Sequence, residues 1–299
     1  MSKRISLFLA TNLLVMLSIS ILFSFLDRIP VIHRLGLGYS HLAIYCLLWG
    51  FGGAFISLAM SRIVAKKSMG VEIVPANSQI PEFKGLIEIV YSLSRKAGLK
   101  TMPEVGIYAS NEINAFATGP TRNRALVCIS TGLANSMDAN QIYGVLAHEI
   151  AHVANGDMVT MTLIQGIVNS FVLFLSRAIS SFVSEHIANN VVTRFITRYF
   201  LIIVLEIVLS LFGSMVVCWF SRQREFRADY GGAELAGRGN MISALEALRV
   251  QSFQTRNEVE ETGLAAMKIY GRTNKFAELF STHPSLDTRI SKLKSAKII

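Results

Sequence analysis

The stretch Asp138-Ala139-Asn140-Gln141-Ile142-Tyr143-Gly144-Val145-Leu146-Ala147-His148-Glu149-Ile150-Ala151-His152 combines a helix start with two histidines at helical spacing. Asp138 followed three residues later by Gln141 has the form of a capping box, and Ile142, Leu146 and Ile150 recur every four residues, so the stretch predicts a capped amphipathic helix. Residues four apart on such a helix share a face, with β-carbons about 5 to 6 Å apart. One ion can therefore bridge His148 and His152. Zinc takes imidazole nitrogen at about 2.0 to 2.1 Å in a tetrahedral shell, and catalytic zinc sites keep one position open for water. That water becomes acidic enough to yield a nucleophile near neutral pH. Glu149, beside the first histidine, can take its proton and later hand it to a leaving amine. A five-residue pattern with three fixed positions also arises by chance, and buried histidines are commonly structural. The rest of the chain has to supply the context.

Two imidazoles leave a zinc site incomplete. Glu225 and Asp229, within Arg224-Glu225-Phe226-Arg227-Ala228-Asp229, are also four apart. Glu225 can complete the metal shell while Asp229 accepts the second ring N–H of a ligating histidine and fixes its tautomer. The competing reading is a solvated helix on which these acids pair with Arg222, Arg224 and Arg227, and spacing alone divides the two evenly. Position in the chain favours the metal. His152 lies six residues before an apolar run and Glu225 five residues after another. A helical hairpin between them would return Glu225 to the histidines and put the zinc near a membrane surface.

The apolar runs themselves set the fold class. The chain has 299 residues, of which 52% are hydrophobic and 16% charged, an excess over soluble domains. Ile5 to Leu26 and Tyr39 to Met60 contain no Asp, Glu, Lys or Arg and are long enough to cross a hydrocarbon core. Met158 to Ser176 and Leu201 to Phe220 are shorter candidates, the last interrupted by Glu206. An ionisable group amid apolar residues marks either a functional site or a helix face turned to protein or water. The first run follows Lys3 and Arg4 as a signal peptide would, but it is too long and no small-x-small cleavage site follows it before Asp27-Arg28, so it reads as an uncleaved anchor.

The net charge of +9 does not point to nucleic acid, because no basic stripe with interleaved aromatics occurs. The positive charges flank the apolar runs. Lys3 and Arg4, then Arg62, Lys66 and Lys67, then Arg222, Arg224 and Arg227 share one side if all four runs cross, and the positive-inside rule makes that side cytoplasmic. The opposite segments are Asp27 to Gly38 and Arg177 to Arg198. The second carries Arg177, Arg194 and Arg198 against Glu185 and fits the rule poorly. Cys46, Cys128 and Cys218 form no CxxC pair, which indicates neither a disulfide framework nor a zinc-thiolate site.

These boundaries predict two amino-terminal membrane helices in 1–60, the first part of a catalytic domain in 61–157, an apolar hairpin in 158–220 and the second part of the domain in 221–299. The two polar blocks would share one membrane face and form a single discontinuous domain. Pro81 opens a helical pattern through Leu86, Val90 and Leu93 that closes at Gly98. Glu104 to Ala109 and Arg124 to Ser130 read as short strands, with Asn114-Ala115-Phe116-Ala117 between them. Gln223 to Leu235, Met241 to Val250 and Leu286 to Leu293 read as helices. The expected fold is a multi-pass α-helical membrane protein with a mainly helical α+β domain containing a small sheet.

The two amino-terminal runs, Asn114-Ala115-Phe116-Ala117, the segment His148 to Asp157, the Met158 to Gly166 run, Trp219-Phe220-Ser221-Arg222, Arg224-Glu225-Phe226, Ala228-Asp229 and Thr282-His283-Pro284 resemble the HtpX family of bacterial membrane proteases. The resemblance covers nearly the whole chain. It implies a zincin-type endopeptidase of the bacterial inner membrane with its catalytic domain facing the cytoplasm and one Zn2+ per chain. Its substrates would be misfolded or damaged membrane proteins, often under heat or envelope stress. It also carries the third-ligand role onto Glu225 and the supporting role onto Asp229. By the same resemblance, Asn114 and Ala115 lie on an edge strand that pairs with the substrate backbone, a physically reasonable way to hold an extended peptide; an ordinary Asn-containing turn is the alternative. His283, before Pro284, can stabilise the oxyanion formed when water attacks the peptide carbonyl, or it can be a plain loop histidine. Two other functions compete. A prenyl-protein-processing protease shares the His-Glu-x-x-His and Glu-x-x-x-Asp patterns, although four spans fall short of a large intramembrane chamber. A non-catalytic scaffold or transporter with structural zinc would show paired half-repeats or broken helices, and none is visible.

Overall fold

The computed structural model describes residues 39–187, 189–261 and 278–296. The first expected span, Ile5 to Leu26, lies outside the described residues. Helix α1 spans Tyr39–Ser68, and after strand β1 (Glu72–Ile73) come α2 (Pro81–Lys96), β2 (Glu104–Tyr108), β3 (Ala115–Thr118) and β4 (Leu126–Ser130). After β4 come α3 (Thr131–Ser136), α4 (Ala139–Asn155), α5 (Asp157–Ile187), α6 (Val191–Ala236) and α7 (Arg238–Glu261), and the last described element is α8 (Leu286–Ser295). The contacts divide into two compact units. One holds the described residues up to Ser57, Met161–Phe220 and Leu279–Thr282; the other holds Leu58–Thr160, the described part of Ser221–Glu278, and the described residues from His283 onward.

In the first unit, α1, α5 and α6 are the three described helices long and apolar enough to cross a membrane. Apolar side chains such as Leu48, Phe171, Phe182, Phe200 and Phe212 are exposed, which suits a surface meeting lipid rather than water. α1 and α5 approach closely where α1 lacks a side chain: a β-carbon on Gly50 would lie 2.7 Å from the Ser170 amide nitrogen. Small residues at such crossings are what lets membrane helices pack.

The segment expected as a polar loop, Arg177 to Arg198, is not one. α5 runs on to Ile187 and α6 starts at Val191, leaving three residues between them. Arg177 lies within α5, buried, and donates through Nη1 to Glu206 Oε1 on α6 at 3.0 Å and to the Leu173 carbonyl at 3.0 Å. A charge is retained in an apolar helix when an opposite charge meets it, and this pairing removes Arg177 from the charge count that fitted the positive-inside rule poorly. It also answers what Glu206 faces. Removing one partner of a buried pair strands the other, at about 3 to 5 kcal/mol, whereas replacing both by apolar groups is often neutral. Arg177→Leu and Glu206→Leu should therefore each lower the unfolding midpoint in detergent, and the double variant should recover most of the loss. A double variant as unstable as the sum of the singles would mean the charges are not coupled.

The second unit is built on a four-stranded sheet of order β1-β2-β4-β3. β2 and β4 are parallel, with Val105 opposite Val127, while β3 runs antiparallel to β4 with Ala115 opposite Ile129. Val105, Val127 and Ile129 pack against Leu86, Val90 and Leu93 of α2 and Val145, Leu146, Ile150 and Val153 of α4. α2 starts with proline in its first turn, as its spacing predicts. Ser130 ties the strand ends together: its Oγ accepts from the amides of Asn114 at 3.1 Å and Leu133 at 3.0 Å, and donates to the Glu112 carbonyl at 2.7 Å. α4 opens with the expected capping box, Asp138 Oδ1 accepting from the Gln141 amide and Gln141 Oε1 from the Asp138 amide.

Candidate metal centre

His148 and His152 emerge from one face of α4, both buried, with their Nε2 atoms 3.1 Å apart. Each ring turns its other nitrogen to a carboxylate. His148 Nδ1 lies 3.1 Å from Asp229 Oδ1, and His152 Nδ1 lies 2.6 Å from Asp157 Oδ2. An ionised carboxylate only accepts, so these contacts put a proton on each Nδ1 and leave each Nε2 to offer a lone pair. Glu225, fully buried on α6, brings Oε2 to 3.5 Å from His148 Nε2 and Oε1 to 3.3 Å from His152 Nε2. Ligand atoms of the three side chains all lie within 4.8 Å of one another. With both Nε2 atoms free of protons, two lone pairs and a carboxylate converge on one buried point, where either a shared proton or a cation balances them. The donor set, two imidazoles and one carboxylate, is the chemistry of a catalytic divalent metal.

Helix packing delivers Glu225 to this point. Gly232 of α6 faces the backbone of α4, where an added β-carbon would stand 3.1 Å from the His148 amide nitrogen and 3.0 Å from Met241 Sδ. A larger residue there would hold α6 away from the histidines. The solvated-helix reading of Glu225 and Asp229 does not survive, because both are buried.

The surrounding charges are balanced in detail. Burial opposes a charge on His148, but hydrogen bonds to Asp229 and Glu225 outweigh it and raise its pKa from 6.5 to about 9. Burial likewise pushes the carboxyls upward, yet the hydrogen bonds from the histidines hold Glu225 well below its ordinary 4.5. Hydrogen bonds from Arg289 and His148 bring Asp229 below 3.8. Arg289, on α8, grips Asp229 through Nε at 2.8 Å and Nη2 at 2.6 Å, and its Nη1 lies 3.5 Å from Glu225 Oε2. Arg224 Nη2 donates to Glu225 Oε1 at 3.0 Å.

The other expected residues are placed as follows. Glu149 is half-buried, next to His148 on α4. His283 Nδ1 lies 2.8 Å from Glu225 Oε2, at the exposed rim of the cluster. Ala115 begins β3, which is an edge of the sheet, and Asn114 precedes it with its carbonyl accepting from the Ser130 amide at 2.9 Å. Two residues of the cluster, Asp157 and Arg289, were not expected. Asp157 follows Gly156 directly after the histidine helix, a visible but unspecific signal; Arg289 sits in an ordinary basic helix with nothing in its neighbourhood to single it out.

Residues 81–297 match the model of peptidase family M48. The chain belongs to peptidase family M48. It is 46% identical over 302 residues to the protease HtpX homolog of Bacillus licheniformis and equally to that of Bacillus subtilis, covering 99% of this chain and 100% of each relative. Protease HtpX of Thioalkalivibrio sulfidiphilus is 46% identical over 296 residues, covering 98% of this chain and 99% of the relative. Ste24p of S. mikatae shares the fold, with a TM-score of 0.59 at 18% identity, over 84% of this chain; the chain spans 58% of that longer structure. As an M48 member with helices long and apolar enough to cross a membrane, the chain is a membrane metalloprotease. The scaffold reading is thereby excluded, and the M48 chemistry requires a metal and a polypeptide substrate.

The raised pKa of His148 gives metal uptake a pH dependence. In the metal-free protein the proton on His148 contributes stability in full below its unfolded value of about 6.5, and that contribution is lost as pH rises through about 9. The depressed carboxyls act oppositely: their stabilisation is present above their ordinary values and is lost as pH falls through their lowered ones. A ligating metal must displace the His148 proton. Apparent metal affinity should therefore climb by about tenfold per pH unit through the whole window below about 9 and level off above it. Titration calorimetry in buffers of different ionisation enthalpy checks this through the proton released, and a flat affinity across that window would contradict it.

Proposed function

We propose that this chain is a zinc endopeptidase in which one Zn2+ is held by His148, His152 and Glu225 and Glu149 serves as general base. The observation that carries this reading is the convergence of two Nε2 atoms, 3.1 Å apart, on the buried carboxylate of Glu225. When bound, the ion supplies the Lewis acidity that makes a coordinated water nucleophilic near neutral pH. Glu149 accepts the proton of that water and returns it to the departing amine. Asp229, gripped by Arg289, holds the His148 ring in its tautomer. His283, at the rim, donates a hydrogen bond to the oxygen on which charge develops during attack. Asn114 has its amide and carbonyl both engaged by Ser130 and so anchors the start of β3 rather than pairing with substrate; the backbone of Ala115, the next residue of this edge strand, pairs with an extended substrate segment.

In this reading, residues 61–157 and 221–299 form the catalytic domain, 1–60 supply two membrane helices and 158–220 a spanning hairpin. Lys and Arg flanking the spans support a catalytic domain on the cytoplasmic side, and the likeness to bacterial HtpX proteins supports a bacterial inner membrane. The substrates are misfolded or damaged membrane proteins, and the activity belongs to stress-linked quality control. The length of the HtpX relatives, matched end to end, favours this over a prenyl-protein-processing role.

The test joins composition to activity. Purified protein should contain one zinc per chain, lose cleavage of casein on chelation and regain it on adding Zn2+. A preparation that cleaves equally after complete removal of metal would end the proposal. For topology, a cysteine introduced beside Glu185 should react with an impermeant reagent from the side opposite the catalytic domain, and labelling from the cytoplasmic side would overturn the spanning hairpin.

A further inference from the structure

His152 depends on a residue that does not share its helix. Asp157 is fully buried and its Oδ2 stands 2.6 Å from His152 Nδ1, yet five residues along a continuous α-helix turn a side chain about 140° away, at 3.6 residues per turn. The contact exists because the helix is broken between them. α4 ends at Asn155; Gly156 has φ 70 and ψ 31, and its amide donates to the carbonyls of His152 and Val153. That left-handed residue ends one helix and starts α5 at Asp157 in a new direction. Only glycine takes this conformation without strain, and a β-carbon there would also stand 3.0 Å from Arg122 Nε. Arg122 closes the turn from outside, its Nη2 donating to the Asn155 carbonyl at 3.0 Å. The carboxylate also falls in the first turn of α5, where the helix dipole favours a negative charge.

We propose that Asp157 is the positioning residue for His152, and that the Gly156 turn, clamped by Arg122, delivers it. Asp157 holds the proton on Nδ1, fixes the ring plane and directs the Nε2 lone pair at the metal, as Asp229 does for His148. The two carboxylates come from different helices, α5 and α6, so each histidine of α4 is oriented independently. This role rests on His152 being a metal ligand.

The experiment uses the full chain in detergent and measures the Zn2+ dissociation constant by competition with a chromophoric chelator, with the absorption spectrum of the Co2+-substituted protein as a second readout. Asp157→Ala should weaken Zn2+ binding about 10- to 100-fold and shift the Co2+ bands. Asp157→Asn, which keeps an oxygen acceptor for Nδ1–H, should recover part of that loss. Gly156→Ala should mimic Asp157→Ala, and combining the two should weaken zinc no further than Asp157→Ala alone. His152→Ala serves as the reference. If it loses zinc while Asp157→Ala binds at wild-type strength with unshifted Co2+ bands, the positioning role is overturned and the ligand assignment stands. If His152→Ala itself keeps wild-type affinity, the ligand assignment falls and takes this role with it.

Discussion

Glu149→Gln should keep its full complement of bound metal and lose casein cleavage, with a rate at least 10²- to 10⁴-fold below wild type, the span that positioned proton transfer typically contributes. The substitution is nearly isosteric and removes only the capacity to accept a proton. Glu149 makes none of the contacts that bring His148, His152 and Glu225 together, so the donor set should be untouched. Metal content by atomic absorption and cleavage by gel assay are read on the same preparation. Undiminished cleavage with metal present would sink the general-base role. The result also separates Glu149 from Glu225, since only the latter should affect metal.

Glu225→Ala should release the metal. Losing a direct ligand should cost more than the roughly tenfold to hundredfold that removal of an outer hydrogen-bond partner does, and cleavage should disappear with it. The change also strands positive charge, because Arg224, Arg289 and His283 all approach this carboxylate. Glu225→Gln distinguishes the two effects: it keeps the shape of the side chain but withdraws the negative charge that balances both cation and arginines. It should bind Zn2+ more weakly than wild type, and retention at wild-type strength in both variants would mean that another group completes the metal shell.

These outcomes bear on how the site is assembled. Four helices contribute to it: α4 supplies both imidazoles and Glu149, α6 supplies Glu225 and Asp229, and α8 supplies Arg289. α5 adds Asp157. The centre is thus built by packing rather than by one motif, and Gly232 and Gly156 are where the backbone must come close or turn back for that packing to succeed.

Much of this was legible in the sequence because it is local. The capping box at Asp138 and Gln141, the four-residue spacing of His148 and His152, and the proline start at Pro81 depend on backbone geometry within a few residues, and each appears in the structure as the pattern predicts. The apolar runs were equally readable, since length and absence of charge are enough to name a candidate span. Their ends were not. Arg177 looked like a loop residue because a charge normally closes an apolar run, and only the presence of Glu206 on the facing helix, 3.0 Å away, lets α5 carry it inward. The same holds at the metal centre. That two histidines would share a face followed from helical periodicity alone. That His152 would be met by Asp157, and Asp229 by Arg289 sixty residues further along the chain, followed from a left-handed turn and from the packing of α8. No spacing rule encodes either, because hydrogen bonds between distant segments are selected by where the chain folds back, not by what lies beside a residue in sequence.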